Sequence, residues 1–456
     1  MKKVSFHTLG CKLNYAETAS LEKQFVDQGF SIVPFGEKSD VCVVNTCSVT
    51  ERADRECRQL VRRAGRTSPN AFIVVLGCYA QLQPEEIASI DGVDLVLGAS
   101  EKFRLFNYSG DFRKYDSPRV FVSPISSVSD FGPAYSGGVD ERTRAFLKIQ
   151  DGCDFNCSFC TIPLARGKSR SQSIEDCVLQ AVHLIDQGYR EIVLTGVNVG
   201  DFGKHNGTSL LDLLRQLDTI DGLERIRISS IEPNLLTDEL LEFWVSSRKV
   251  CNHFHIPLQS GSDEILKKMR RRYTSSDYRN LIDSIRRKSP DAGIGADVIV
   301  GFPGETDDLF RKSYDFLHEM PVSYLHVFTY SERPNTPSLD LEGRVEPRVR
   351  FKRSEMLRIL GQQKKQAFYL SQLHTTQKVL IESTVENDML AGYTENYVRV
   401  FVPYQTSLEH SLAEVVLHER AAEGCTGTLK HPVSSTSRKT VVIPRAKAAD
   451  PLFTVQ

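Results

Sequence analysis

The chain has 456 residues, of which 40% are apolar and 25% charged, an ordinary globular composition that excludes a disordered or fibrous protein and sets an expectation of two to four domains. The formal net charge is −1, so no global basicity marks a nucleic-acid binder. No window approaches the roughly 20 uninterrupted apolar residues of a membrane span, and "MKKVSFHTLGCKLNYAE" holds no signal-peptide core, which places the chain in the cytoplasm with no membrane partner.

In that compartment eleven cysteines argue against a disulfide framework and for metal ligation or catalysis. The first segment, 1–106, alternates apolar runs with helical patterns: "VSFHTLG", a helix at 16–28, "DVCVVNT", a helix at 50–65, "AFIVVLG", a helix at 84–89, then "VDLVLG". That rhythm predicts a parallel α/β sheet. Cys11, Cys47 and Cys78 each stand just beyond an apolar strand, in "TLGC", "NTC" and "LGC". In a parallel sheet those positions fall on the carboxyl edge, where open α/β sheets bind ligands, so three thiolates can converge there. Three unrelated loop cysteines are the competing account. Arg55, Arg58, Arg62 and Arg66 share one helix face, suited to a polyanion or simply to solvent.

Residues 107–141 turn Ser-, Gly- and Pro-rich and read as a linker. From "RAFLKIQDGC" the strand and helix rhythm resumes, and six units over 142–368 fit a partial (β/α)6 barrel better than a closed eight-fold one. Just after its first strand, Cys153, Cys157 and Cys160 have C-x3-C-x2-C spacing. Such a loop wraps one corner of a cuboidal iron-sulfur cluster and leaves one iron without a protein ligand. A structural zinc site wants a fourth ligand nearby, and none stands before His183; unliganded core cysteines are the remaining account. Cys42, Cys57, Cys177, Cys251 and Cys425 read as packing residues. "KKMRRRY" (267–273) is a basic run, and 343–366 holds eight Lys or Arg against two Glu. Over 372–437, "KVLIESTVEND" and "YVRVFVP" alternate with period two and predict a small all-β domain.

"GCDFNCSFCTIPLARGKSRS" resembles the radical S-adenosylmethionine (SAM) enzymes. With "TLGCKLN", "VNTCSVT" and "VLGCYAQ", the chain is similar from residue 1 to about 430 to the methylthiotransferases of that superfamily. The resemblance implies an N-terminal methylthiotransferase domain, a radical SAM core and a C-terminal TRAM domain. The last rests on "GYTENYVRVFV" (392–402), a segment that binds RNA in relatives. It also implies two [4Fe-4S] clusters, one on Cys153, Cys157 and Cys160 that binds SAM, and one on Cys11, Cys47 and Cys78 that carries sulfur. A radical is needed because a C–H carbon is a poor target for acid-base or nucleophilic catalysis. A reducing electron donor and a sulfur source are further implied partners.

By the same resemblance Phe159 packs near the SAM adenine, while Gly196 and Asn198 of "LTGVNVG" contact its methionine part. Ser230, Glu232 and Gln259, in "SSIEP" and "IPLQSGS", point into the barrel mouth. Core packing, an ordinary turn and loop capping are the respective alternatives. Arg166, Lys168 and Arg170 lie near that mouth, where charge suits a phosphate backbone or water. "GFPGE" (301–305) lacks the Lys-Ser/Thr of a phosphate loop. "LGCKLN", unlike the "GCQMN" or "GCPKN" of sister branches, is similar to the bacterial branch that methylthiolates N6-threonylcarbamoyladenosine of tRNA, 3′ to the anticodon. Its adenine C2 has to be presented unstacked. Methylthiolation of isopentenyladenosine and a non-catalytic, zinc-stabilised tRNA-binding protein are the rival readings. From His431 onward the sequence matches nothing recognised.

Overall fold

The computed structural model describes residues 1–128, 131–136 and 143–431. Residues 129–130 and 137–141 of the expected linker, 142 of the expected barrel segment and 432–437 of the expected β domain lie outside the described residues, as does the tail beyond His431.

The N-terminal sheet holds β1 (Lys3–Thr8), β2 (Ser31–Val33), β3 (Val41–Thr46), β4 (Phe72–Gly77), β5 (Val93–Leu97) and β6 (Arg119–Phe121). All six run parallel in the order β2-β1-β3-β4-β5-β6. Every residue of β3, β4 and β5 is buried, which is why these strands read as continuous apolar runs and not as alternating ones. One face packs Val44, Ile73 and Val75 against the Glu51–Thr67 helix, and the other packs Val43, Val74 and Leu76 with Phe25 of the Lys12–Asp27 helix. The edge strand β6 comes from the stretch expected as a linker; at three residues it leaves no periodic trace.

The second unit begins at β7 (Arg144–Lys148), followed by a short antiparallel pair, β8 (Gln150–Asp151) and β9 (Arg170–Ser171). Its remaining strands are β10 (Glu191–Thr195), β11 (Arg225–Ile228), β12 (His253–His255), β13 (Gly293–Val300) and β14 (Tyr324–Thr329). The sheets β11-β10-β7 and β12-β13-β14 are parallel and joined by the bridge from Ile226 to Val250. Six strands in order make the expected open (β/α)6 barrel. Ala145, Leu147, Ile192, Leu194, Ile226, Ile228, Phe254, Ile294 and Ala296 face the surrounding helices in one apolar core. The alternate residues, Arg144, Glu191, Arg225, Arg227, His253, His255, Asp297, Tyr324 and His326, face the lumen.

The C-terminal unit, β15 (Thr376–Glu386), β16 (Met389–Thr394), β17 (Arg399–Pro403), β18 (Leu412–Arg420) and β19 (Cys425–Leu429), closes into a barrel in the order β15-β16-β17-β19-β18. This is the small barrel expected of a TRAM domain. Its β16–β17 turn seals the amino end of the larger barrel. Arg225 donates to the carbonyls of Tyr393 and Lys378, Arg227 to those of Glu395 and Thr394, and Asn396 to that of Asp291. The Arg144 guanidinium lies 4.9 Å from the centre of the Tyr393 ring. Among the described residues no helix is long and apolar enough to cross a membrane.

Candidate active site between two cysteine trios

Cys153, Cys157 and Cys160 lie on the loop that leaves β8 at the carboxyl mouth of the barrel. Cys153 N–H is fixed to the Gly167 carbonyl at 3.0 Å, and Cys160 N–H to that of Cys157 at 3.2 Å. Burial, with the neighbouring Cys157 thiol adding to it, pushes Cys153 and Cys160 up to about 12. Burial raises Cys157 too, against the opposing pull of Arg271, whose Nη1 donates to its Sγ at 3.1 Å. Arg271 also pairs with Glu232 and with Tyr273 Oη at 3.0 Å. The "KKMRRRY" run therefore sits on the cysteine loop, and Arg272 stacks over Phe155 with 4.0 Å to the ring centre. The run is visible in the sequence, but its contact with the Cys157 thiol is not.

The SAM candidates are split. Gly196 packs on Gln150, whose Oε1 lies 2.9 Å from where a Cβ would stand and accepts from Asn198 N–H at 2.8 Å. Asn198 Nδ2 donates to Asp201 at 3.1 Å, while its buried Oδ1 has no partner. Glu232 reaches the cysteine loop through Arg271, and burial raises its pKa. An orphaned acceptor beside two carboxylates, Asp201 and Glu232, near Cys153 fits a cationic, hydrogen-bond-donating ligand such as SAM. Gln259 adopts φ +71° and holds β13 through its backbone, accepting from Ile299 N–H at 2.9 Å. Ser230 is half-buried two residues before Glu232. Phe159 packs with Phe302, Ile265 and Met269, the apolar alternative for it.

Arg166 corrects the expectation of a phosphate contact. It is 2% exposed, donating to Glu17 at 2.9 Å, Asp151 at 3.0 Å and Asn14 Oδ1 at 2.6 Å. Arg170 is drawn inward as well, to Asp151 at 3.2 Å, and Lys168 alone of the three stays exposed. "GFPGE" is no anion site either: Glu305 fills it, bound to Gly301 N–H and Arg353, both at 2.7 Å.

Cys11, Cys47 and Cys78 leave the carboxyl ends of β1, β3 and β4, three adjacent strands. Gly10, at φ +101°, is forced by close approach: a Cβ there would stand 2.9 Å from Cys47 Sγ. Asn14 staples the two loops by donating to the Leu9 carbonyl at 2.7 Å and the Thr46 carbonyl at 3.1 Å. Burial pushes Cys47 up to about 12, with the Cys78 and Cys11 thiols adding to the shift. Burial also raises Cys78, opposed by Arg166 and Lys102. Beneath Cys78, Lys102, Lys148 and Arg166, with Arg170 at the edge, surround Glu17 and Asp151, so cations outnumber carboxylates in a buried cluster. That excess suits an anionic, thiolate-held group.

The two trios are neighbours. Thr161, next after Cys160, donates to the carbonyl of Ser48, next after Cys47, at 3.3 Å. Among the described residues the one set of three His, Cys, Asp or Glu side chains with ligand atoms all within 4.8 Å of one another is His255, Asp297 and His326. Neither cysteine trio is that tight, whereas a tetrahedral zinc with ~2.3 Å bonds would bring its sulfurs to about 3.8 Å. The other five cysteines are buried and unpaired, as expected.

Residues 147–317 match the Radical SAM superfamily, and residues 3–98 match the Uncharacterized protein family UPF0004. The fold is similar to the radical SAM methyltransferase TsrM from Kitasatospora setae, at a TM-score of 0.54 and 17% identity over 74% of this chain and 77% of that one. These features define a radical SAM protein, which implies one [4Fe-4S] cluster and SAM. Over most of its length the chain is similar to threonylcarbamoyladenosine tRNA methylthiotransferases MtaB. Identity is 42% with that of Bacillus subtilis (88% of this chain, 90% of the relative) and 40% with that of Aquifex aeolicus (87% and 96%). It is 34% with that of Thermotoga maritima (93% and 97%). The chain belongs to the radical SAM methylthiotransferase family, in the branch of these threonylcarbamoyladenosine enzymes.

Proposed function

We propose that this protein converts N6-threonylcarbamoyladenosine in tRNA, 3′ to the anticodon, to its 2-methylthio derivative. Cys153, Cys157 and Cys160 hold the SAM-binding [4Fe-4S] cluster, and Cys11, Cys47 and Cys78 hold a second. When bound, the first cluster with SAM supplies one-electron C–H activation and the second supplies the sulfur. Gly196, Asn198, Ser230, Glu232 and Gln259 line the SAM side of the mouth, with Phe159 behind the loop. A reducing electron donor and a sulfur source are required as partners, and the domain borders follow the segments 1–106, 142–368 and 372–437.

The observation that carries this reading is the Thr161–Ser48 hydrogen bond, which ties the loop of one trio to the loop of the other. C–H activation and sulfur delivery have to act on one carbon, and the chain brings both ligand sets to it. The protein's own groups orient the parts. Arg271 holds Cys157 and Glu232, Asn14 ties the Cys11 loop to the Cys47 loop, and the β16–β17 turn closes the floor against water. Mass spectrometry of tRNA nucleosides from cells with and without the gene tests the reading. The 2-methylthio-threonylcarbamoyladenosine signal is expected to vanish without it. An unchanged signal overturns the proposal, and loss of the isopentenyl derivative in its place selects the sister branch.

A further inference from the structure

Next to Cys11, the lumen holds a cation with no partner. Lys12 opens the Lys12–Asp27 helix and is half-buried, and among the described residues its ammonium makes no hydrogen bond or ion pair. Its electrostatic neighbours are Tyr397, Arg144, Arg227, Glu191 and His253, all on the lumen wall or floor. The acid among them, Glu191, is already held by Arg227 at 2.7 Å and Arg225 at 3.6 Å. Arg144 is taken by Glu382 at 3.0 Å. With Glu395 also drawn to Arg225 at 3.8 Å, each carboxylate at the amino end is taken by an arginine, and the half-buried Lys12 ammonium gains from an arriving anion.

Across the lumen, His255 Nε2 and His326 Nδ1 meet the same Asp297 oxygen, at 2.7 and 3.2 Å. That shared oxygen fixes both rings and leaves His255 Nδ1 and His326 Nε2 without a hydrogen-bond partner among the described residues. Side-chain exposures of 14% and 34% open them to the cavity. The wall offers one charged donor, next in the chain to Cys11, and two oriented imidazoles.

We propose that Lys12, with His255 and His326, forms a recognition pocket for the free carboxylate and hydroxyl of the threonylcarbamoyl substituent. The assignment rests on the substrate proposed above. The substituent on N6 projects away from C2, so a base held with C2 at the two trios extends that group into the adjoining lumen. Its carboxylate offers Lys12 the ion-pair partner that no described residue supplies. Lys12 is a specificity-determining contact and takes no part in bond breaking.

The test uses reconstituted full-length enzyme and two anticodon stem-loop RNAs, one carrying threonylcarbamoyladenosine and one carrying its carboxylate methyl ester. Wild type is expected to favour the free acid in kcat/KM by about 30-fold, the scale of a charge-assisted hydrogen bond. In Lys12→Met the preference should fall to within about 3-fold, and in Lys12→Arg much of it should survive. Because the readout is a ratio within one preparation, damaged clusters or misfolding scale both substrates alike. For a variant too slow to assay, the affinity ratio of the two stem-loops without reductant gives the same comparison. No acid preference in wild type, or an undiminished one in Lys12→Met, overturns the pocket. Failure of wild type on both RNAs, with activity on an isopentenyladenosine stem-loop, overturns the substrate reading beneath it.

Discussion

Thr161 Oγ1 and the Ser48 carbonyl lie 3.3 Å apart, joining the residue after Cys160 to the residue after Cys47 across two domains. Ser48 is held from its other side by Asp54 at 2.9 Å and Arg333 at 2.7 Å, so the joint is anchored in a buried polar network. Thr161→Val keeps the shape and removes the donor. Misplacement of reacting groups by a fraction of an ångström is costly in rate, so product formation should fall about tenfold. Cleavage of SAM to 5′-deoxyadenosine should continue, raising the ratio of that product to methylthiolated RNA. An unchanged ratio would mean that the joint does not set the distance between the trios.

The spacing of the cysteines makes a stoichiometric prediction. Two cubane clusters require about eight irons per reconstituted chain and a brown protein. Cys47→Ala should lower iron to about four per chain, keep 5′-deoxyadenosine formation and abolish methylthiolation. Iron and sulfide analysis beside the product assay checks it. A colourless wild type with bound zinc would favour the non-catalytic reading.

Arg271 donates to Cys157 Sγ while its other nitrogen pairs with Glu232. A cation hydrogen-bonded to a ligand sulfur stabilises the reduced, more negative cluster. Arg271→Met should lower the potential of the Cys153 cluster by about 60 mV, one decade for a one-electron couple. SAM cleavage with a weak reductant slows accordingly. Redox titration followed by electron paramagnetic resonance reads the shift, and a potential that stays put removes Arg271 from this role.

Much of this was legible in the sequence because it is written in local spacing. Cys11, Cys47 and Cys78 each follow an apolar run, and the sheet places their strands side by side, as carboxyl-edge reasoning expects. The six barrel units and the small all-β domain announced themselves by periodicity, and the TRAM resemblance supplied the closed barrel. What stayed hidden depends on meetings between distant segments. Arg166 looks free in "ARGKSRS", yet Glu17, far away on the first helix, draws it inside. His255, Asp297 and His326 come from three different strands, and nothing in their flanking residues marks the convergence. Strands of three residues, such as β2 and β6, form on the edges of an existing sheet and carry too few positions for a pattern.

The buried charges between the first two domains make stability depend on pH. Burial raises Glu17 and Asp151, but for Glu17 the cations Arg166, Lys102 and Lys148, and for Asp151 Lys148, Arg166 and Arg170, more than reverse it and hold both well below the ordinary carboxylate range. A depressed folded value contributes stability that is fully present above the unfolded pKa near 4 and is lost as pH falls through the folded value. Glu17→Gln leaves three buried cations short of an anion and should cost about 3–5 kcal/mol at pH 7. Thermal unfolding from pH 7 down to 3 should show the gap between wild type and Glu17→Gln narrowing below about pH 4. A gap independent of pH would place the loss in packing and not in charge.

The arginine face after residue 50 separates a tRNA contact from a merely solvated helix. Arg58 is engaged with Glu86 and Tyr79, both at 2.7 Å, whereas Arg55, Arg62 and Arg66 are exposed on the same helix. This helix starts four residues after Cys47, which ties its first turn to one of the two cysteine loops. Phosphate contacts release counterions, and each one adds about 1 to the slope of log affinity against log salt. Arg55→Glu with Arg62→Glu should weaken tRNA binding about tenfold at 0.15 M salt and lower that slope by about 2. Lys168→Glu, the remaining exposed cation of its loop, should lower it by about 1. Cluster content should not change in either variant, since none of these side chains touches a cysteine loop partner. A slope equal to wild type would assign the arginine face to solvent and move the tRNA path to the basic helix Pro347–Ser371, where Arg350 and Arg353 are locked in ion pairs but Arg348, Lys352 and Arg358 are exposed.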